Sequence, residues 1–535
     1  MKAYLTLLCL IASFIVEAKD RYIVYFGSKA GGGENAISLS PAALQQRKAQ
    51  GIGFDIYDVA VNEADIEKLR SAGVQVVRTS RWLNAALVET DMLPTALRQV
   101  SDNIVRVQQA PIQAAAINKF EVAGTQQVDL EMANKTTALI DYGAATMQNH
   151  LYNIDYLHNK GYTGKGVTLA FFDAGYNGFD TIPYFEALRQ RNGLKATYDF
   201  WTNSANVYHG SGHGTFCSSK IIANIPGSFV GLAPDVDVLL AVTDHPVTET
   251  HDDEFNYIAA LEWADSIGAQ VVSASISYKK FDAPTADYIY SDMDGKTTIV
   301  TNGVRVAAAK GMIIVNAAGN SGFICAPCDA DSILCVGGAD SLRNYDQISS
   351  FGPSFDGRVK PDVAALTRNG YSISDNGQIY TSFYGGTSSA TPQIAGIAAC
   401  LKQAYPYASN IDIIEAIKKS AHQYATPDSL MGYGVPDARK ADSILYERFL
   451  AVPQTVKSNT GFRVYPNPAK DEFIIEGIEN IQTVQVTSIV GQTIFRKDIK
   501  TPVAVIRLNG AAPGVYFVTV VTEDNTTSTH RLVLE

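Results

Sequence analysis

Along this chain of 535 residues the rhythm of apolar and polar positions changes twice. From about Tyr142 to Arg448, the runs "GVTLAFFDAG", "DVDVLLAV", "AQVVSASIS" and "GMIIVNAAGN" are continuously apolar and of strand length. Helical patterns such as "DEFNYIAALEWADSIG" and "TNGVRVAAAK" lie between them. Continuous apolar strands alternating with helices predict an α/β region whose parallel sheet is covered on both faces. Ligand sites in such sheets gather at the carboxyl ends of strands, so polar residues there are the first candidates for chemistry.

The flanks follow other rules. From Arg21 to about Gln109 the pattern is short: "RYIVYFG" as a strand, "NEADIEKLRSAG" as a helix closed by glycine, "VQVVRTSRWLNAALVET" as strand material, then "LPTALRQVS" and "IVRVQQ". This predicts a small α+β unit. The following "APIQAAAINKFEVAGTQQVDLEMANKTTA" is weakly periodic and predicts a linker accessible to cleavage. At the other end, "FRVYPNPAKDEFIIEG" through "GVYFVTVVTEDNTTSTHRLVLE" alternates over short strands split by "VGQ" and "APG" turns, which predicts an all-β module. No solenoid-type repeat is found.

Length favours two or three domains. A net charge of −11 argues against nucleic acid as the main partner. Lys2, an apolar run from Leu5 to Val16 and Ala18 predict a secretory signal cut near Ala18; the run is too short for a membrane span. The mature chain is therefore expected to be soluble and outside the cytoplasm. Loss of Cys9 with the signal leaves Cys217, Cys325, Cys328, Cys335 and Cys400, so at least one thiol is unpaired within the chain. "CAPC" lacks a second ligand pair for zinc, and a disulfide among Cys325, Cys328 and Cys335 is expected instead. Cys217 and Cys400 lie in apolar helical stretches and are expected to be buried.

The stretch "GGTSSATPQIAG", Gly385 to Gly396, raises the question of a nucleophilic hydroxyl. A serine needs a base and a group to orient that base. "HGSGHGTFCSSK" puts His213 at a helix start, and "VTLAFFDAGYNG" puts Asp173 at the end of a buried strand, with Gly175 letting the chain turn. Taken alone, Ser388 also reads as a helix N-cap, and a turn-forming asparagine is the bland alternative for Asn320.

The segments "LAFFDAG", "GHGTFCSS" and "GGTSSATPQIAG", in this order, resemble the signature segments of the subtilisin-like serine proteases. The order Asp, His, Ser is that of the subtilisin triad itself. "GLAP", "ISSFGPSFDGRVKPDVAA" and "MGYGVPDA" extend the resemblance over nearly all of residues 142 to 448. It implies a three-layer parallel-sheet catalytic domain, and a secreted serine endopeptidase in which His213 is the base toward Ser388 and Asp173 orients it. Asn320 would be the side-chain donor to the oxyanion. "SASIS", Ser273, Ala274, Ser275, Ile276 and Ser277, resembles the family's edge strand that pairs with substrate; Ser277 stands where glycine is usual. Ser389 and Gln393 depart from the customary Met and His. A local argument agrees with Ser388 if it stands at a helix N-terminus with Pro392 in the first turn.

The resemblance implies no required cofactor and admits a structural calcium. Acidic "ETHDDE", Glu249 to Glu254, is the candidate, and a helix start whose acids suit the dipole is the preferred account of it. His209 is expected in a loop or subsite wall because Gly210 and Gly212 break a helix. Residues 19–135 resemble a propeptide with its linker, an intramolecular inhibitor removed within "QAAAINKFEVAG". The tail, with "YPNP", "VGQ" and "GVYFV", resembles the C-terminal sorting domain of the type IX secretion pathway of Bacteroidetes-type bacteria. The expected division is 1–18 signal, 19–135 propeptide and linker, 136–448 catalytic domain, 449–461 linker, 462–535 β-sandwich. Expected partners are protein or peptide substrates, the propeptide and the secretion machinery. A serine esterase, or a non-catalytic binding protein on the same fold, is the alternative; the esterase nucleophile elbow requires GxSxG, which is absent around Ser388.

Overall fold

The structure, a computed structural model, describes residues 20–29, 37–110, 125–127, 140–382, 385–449, 462–477, 480–489, 491–499, 501, 503–523 and 527–535. The expected signal and its cut at Ala18, most of the linker after Ala110 and nearly all of the linker 449–461 lie outside them. The chain divides into two compact units, Met1–Leu445 and Tyr446–Glu535.

The first unit begins with β1 (Asp20–Phe26), α1 (Pro41–Ala49), α2 (Glu63–Ser71), β2 (Gln75–Ser80), β3 (Ala85–Thr90) and β4 (Ile104–Gln109). These strands form an antiparallel sheet in the order β2-β3-β1-β4. Strand alternation gives β1 two apolar faces. Tyr22, Val24 and Phe26 pack on Ile66 and Leu69 of α2, while Ile23 joins a cluster belonging to the neighbouring α/β body.

That body is built on seven parallel strands: β6 (Thr168–Asp173), β7 (Leu194–Asp199), β8 (Asp237–Val242), β9 (Val271–Ala274), β10 (Ile313–Ala317), β11 (Leu334–Ala339) and β12 (Val363–Leu366). Their order across the sheet is β12-β11-β10-β9-β6-β8-β7. The main helices are α3 (His213–Ile222), α4 (His251–Ile267), α5 (Ile299–Ala309) and α6 (Gly386–Ala404). The continuous apolar runs are explained by burial on both faces. Leu169 and Phe171 of β6 share a cluster with Ile394, Ile397 and Leu401 of α6, and Ala170 and Phe172 share the opposite one with Phe255, Ile258 and Val304 of α4 and α5. Each large side chain so buried contributes about 1.5–3 kcal/mol.

The α+β unit sits on α4 and α5 through a seam of ion pairs. Arg47 bonds Asp58 at 2.7 Å and Asp265 at 2.6 Å, and Lys310 reaches back to Asp55 and Asp58, each at 2.7 Å. Arg81 meets Glu262 at 3.1 Å and Asp265 at 3.0 Å, and Arg21 meets Asp252 at 2.5 Å. Burial, opposed by Arg21, pushes the Asp252 carboxyl up to about 7.

A hairpin of β13 (Gly370–Ile373) and β14 (Ile379–Ser382) precedes α6, and it takes a third strand from the expected linker, β5 (Thr125–Gln127). Sequence periodicity gave no sign of β5. A three-residue strand is too short for alternation to register, and its pairing supplies what its pattern lacks.

The second unit holds two antiparallel sheets, of three and four strands. Their inner faces share one cluster, with Phe473, Ile475 and Ile506 from one sheet and Val484, Val486, Val518, Val520 and Leu532 from the other. This is the expected all-β module, and alternation alone predicts it because each sheet is buried on one face.

Candidate active site

Asp173 is the last residue of β6, which puts its carboxylate at the carboxyl end of the sheet. The chain then turns at Gly175, φ +148°, where a Cβ would fall 2.1 Å from His209 O. That close approach delivers the loop carrying His213 to the start of α3. His213 Nδ1 lies 2.8 and 3.0 Å from the two Asp173 oxygens, and Ala174 N donates to Asp173 Oδ1 at 2.8 Å. Both side chains are buried. Burial disfavours the imidazolium, yet the Asp173 carboxylate, helped by the Cys217 sulfur, more than reverses this and holds the His213 pKa well above its ordinary value.

Ser388 is the third residue of α6. It is joined reciprocally to the segment that follows β9: Ser388 Oγ donates to Ser275 O, and Ser275 Oγ donates to Ser388 O, both at 3.0 Å. Cys217 Sγ lies 3.9 Å from His213 Nε2 and 3.4 Å from Ser388 O, so it touches both the histidine and the serine segments. The expectation for Pro392 needs correction, because α6 starts at Gly386 and Pro392 stands inside the helix rather than in its first turn. Its missing N–H would have bonded the carbonyl four residues back, that of Ser388. Ser275 Oγ and Cys217 Sγ take that acceptor instead.

Asn320 follows the turn after β10. Its Oδ1 accepts from Thr387 N at 2.9 Å and Thr387 Oγ1 at 3.0 Å. With the oxygen committed, the amide has one orientation and Nδ2 is its donor face. Gly386, φ +59°, permits this contact, since a Cβ there would fall 2.7 Å from Asn320 Oδ1. Thr387 is a residue to which the sequence reading gives no role. It is fully buried and also exchanges bonds with Gly319 N and O, at 3.2 and 3.1 Å. Its signal in the sequence was the first of three adjacent hydroxyls, which is silent about which neighbour each would hold.

One cleft of about 430 Å³ is lined by His213, Asn320 and Ser388, with Ser275, Ile276 and Ser277 along one wall. Ser273 and Ala274 correct the expectation of an edge strand. They belong to β9, which is paired on both sides by β10 and β6, and they lie outside the cleft lining. Only the residues beyond the carboxyl end of the strand escape the ladder and face the cleft.

The expected disulfide joins Cys328 and Cys335, while Cys325 is a buried free thiol in the cleft wall, as Cys217 and Cys400 are buried free thiols elsewhere. His209 is in a loop, bonded to Asn206 O at 3.0 Å and Asp199 at 3.1 Å. The acidic run opens α4, where Thr250 and Asp253 form a capping box. Asp252 faces Arg21, and Glu254 bonds His251 at 2.6 Å. Carboxylate oxygens of Asp244, Glu249 and Asp253 lie within 4.8 Å of one another, a set chemically able to hold a hard cation.

A model of the Subtilase family matches residues 164–434, half of the chain. The chain belongs to the subtilase family. Around this subtilase domain, residues 21–128 match the Peptidase S8 propeptide domain, Bacteroidota, and residues 463–535 match the secretion system C-terminal sorting domain, which marks an exported or surface-held protein. The subtilase is 30% identical over 289 residues to subtilisin-like protease SBT6.1 of Arabidopsis thaliana, covering 50% of this chain and 24% of that one. It is 30% identical over 267 residues to alkaline elastase YaB of Bacillus sp. (strain YaB), covering 49% and 61%. With subtilisin Savinase of Lederbergia lenta it shares 29% over 288 residues, covering 53% and 93%. This chain thus spans less than two thirds of the first two relatives. Among solved structures, MycP1 from Mycobacterium smegmatis superposes with a TM-score of 0.45 at 24% identity, covering 59% of this chain and 89% of that one.

Proposed function

We propose that this subtilase is a secreted serine endopeptidase, made as a zymogen and exported through its C-terminal sorting domain. The observation that carries the reading is the buried Asp173–His213 pair in one cleft with Ser388 and the oriented Asn320 amide. Rotation of Ser388 about χ1 releases its hydroxyl from Ser275 O toward His213 Nε2. His213 takes the proton as Oγ attacks the peptide carbonyl, and Asp173 stabilises the imidazolium through Nδ1. Asn320 Nδ2 and the Ser388 N–H hold the oxyanion. His213 then protonates the leaving amine, and water attacks the acyl-enzyme by the same route in reverse, returning the proton to Ser388. The segment Ser275–Ser277 offers backbone to the substrate. The propeptide blocks the cleft until the linker is cut, and no cofactor is needed; Asp244, Glu249 and Asp253 would take any structural calcium.

The test is mass spectrometry of secreted wild-type and Ser388→Ala protein after treatment with a serine-reactive phosphonate, with peptide and ester substrates assayed in parallel. One adduct on Ser388 in a chain lacking its N-terminal hundred or so residues supports the reading. A mature chain that takes no adduct overturns it in favour of a binding protein, and turnover of esters without peptides would make the site that of an esterase.

A further inference from the structure

We infer that the outer edge of β14, Ile379–Ser382, is a peptide-docking strand that extends the cleft on the leaving-group side, and that Thr125–Gln127 holds this edge until substrate replaces it. The inference rests on the protease reading and adds a subsite to it.

The ladder of the hairpin supplies the first argument. Tyr371 of β13 faces Thr381 of β14 in register. Both main-chain groups of Tyr371 are spent elsewhere, its N–H on Gln148 Oε1 at 2.7 Å and its C=O on Lys220 Nζ at 2.9 Å. Ile373 N likewise bonds Ser219 Oγ at 2.9 Å. Tyr371 and Thr381 are therefore a non-hydrogen-bonded pair, and antiparallel alternation turns the Thr381 N–H and C=O to the other side. Gln126 stands there, in register with Thr381. With β5 gone, β14 offers an unpaired edge held stiffly from behind by α3. Such an edge recruits a strand through main-chain bonds and asks little of its side chains.

Direction supplies the second argument. Thr125 stands opposite Ser382 and Gln127 opposite Tyr380, so the occupant runs antiparallel and its N-terminal end lies on the side of Ser382. The chain of β14 continues from Ser382 through Gly385 and Gly386, in the cleft lining, to Ser388. A peptide whose scissile bond reaches Ser388 thus lays on β14 residues that follow the bond. The ligand class is an extended polypeptide with a long leaving segment, without proline or a blocked amide opposite Thr381.

The test uses the matured full-length protein and quenched peptides that share one acyl side but carry two or eight residues after the bond. The longer peptide should be cleaved with about tenfold higher kcat/KM, the gain expected from one reciprocal pair of main-chain bonds. An N-methyl group on the amide opposite Thr381 should erase the length advantage, and Thr381→Pro should bring the long-to-short ratio near one. Equal kcat/KM for the two lengths in wild type overturns the inference while leaving the protease reading intact. Failure of wild type to cleave either peptide or to take the phosphonate overturns the protease reading itself. If Thr381→Pro does not fold, the N-methyl series decides alone, and an undiminished advantage there overturns the docking strand.

Discussion

The propeptide seam and the catalytic cleft are both polar and both buried, yet they are wired differently. In the seam, charge meets charge across two pieces of chain: Arg47 and Arg81 on Asp265, Arg81 on Glu262, Lys310 on Asp55 and Asp58. Every one of these groups is rehydrated when the pieces part, so the contact can be firm without being permanent. In the cleft, neutral groups are pinned by main-chain bonds within one body, as Ser388 is by Ser275 and Asn320 by Thr387. Nothing there is released on separation, so the geometry outlasts the propeptide.

This contrast is broken most strongly at Ser388. Ser388→Ala should lower kcat by about 10⁶, the loss known for the subtilisin serine, while the seam and the fold stay unchanged by circular dichroism. Next, Asp173→Asn should cost about 10⁴ in kcat. The same variant sharpens the electrostatics. His213 acts only when neutral, so kcat/KM in wild type should rise with pH through a midpoint above the ordinary value of about 6.5. In Asp173→Asn that midpoint should fall. The same linkage gives the sign for stability: the raised pKa stabilises the fold below about 6.5, and the contribution is lost as pH rises through the folded value. The working enzyme is then one whose Asp173–His213 pair has given up its proton.

On the other side of the comparison, Arg47→Ala leaves Asp58 and Asp265 without one of their buried cationic partners. The seam should weaken by about 3–5 kcal/mol, seen as faster loss of the cleaved propeptide on size exclusion, with kcat of the freed enzyme unmoved. The smallest effect is expected at Thr387→Val, which removes one of two bonds to Asn320 Oδ1 and keeps the backbone one. It should lower kcat about tenfold with KM unchanged, less than the ~10²–10³ known for loss of the side-chain oxyanion donor in subtilisin. Equal losses for Thr387→Val and Asn320→Ala would mean the hydroxyl alone sets the amide.

Most of the fold was legible. The sheet of the catalytic body was readable because strands such as β6 are buried on both faces, and the C-terminal module because each of its sheets is buried on one. Asp173, His213, Asn320 and Ser388 were singled out through the motifs that carry the resemblance, and the fold sets Asp173 on His213 and places His213, Asn320 and Ser388 in one cleft. Ser273 and Ala274 were misplaced because a strand motif does not say where the ladder ends. Pro392 was misplaced because a helix start cannot be read when glycines precede it without a side-chain cap.

What the sequence determined by itself is the alternation of strands and helices, and so the sheet whose carboxyl ends gather the candidate chemistry. Tertiary structure alone decided which partner each polar group took: Ser275 for the carbonyl freed by Pro392, Thr387 for the Asn320 oxygen, Asp265 for Arg47, and β5 for the edge of β14. The reason is physical. Burial follows a period of two or three and a half residues and leaves its mark in the local pattern, whereas a buried hydrogen-bond group accepts any partner of the right polarity that the fold brings within about 3 Å.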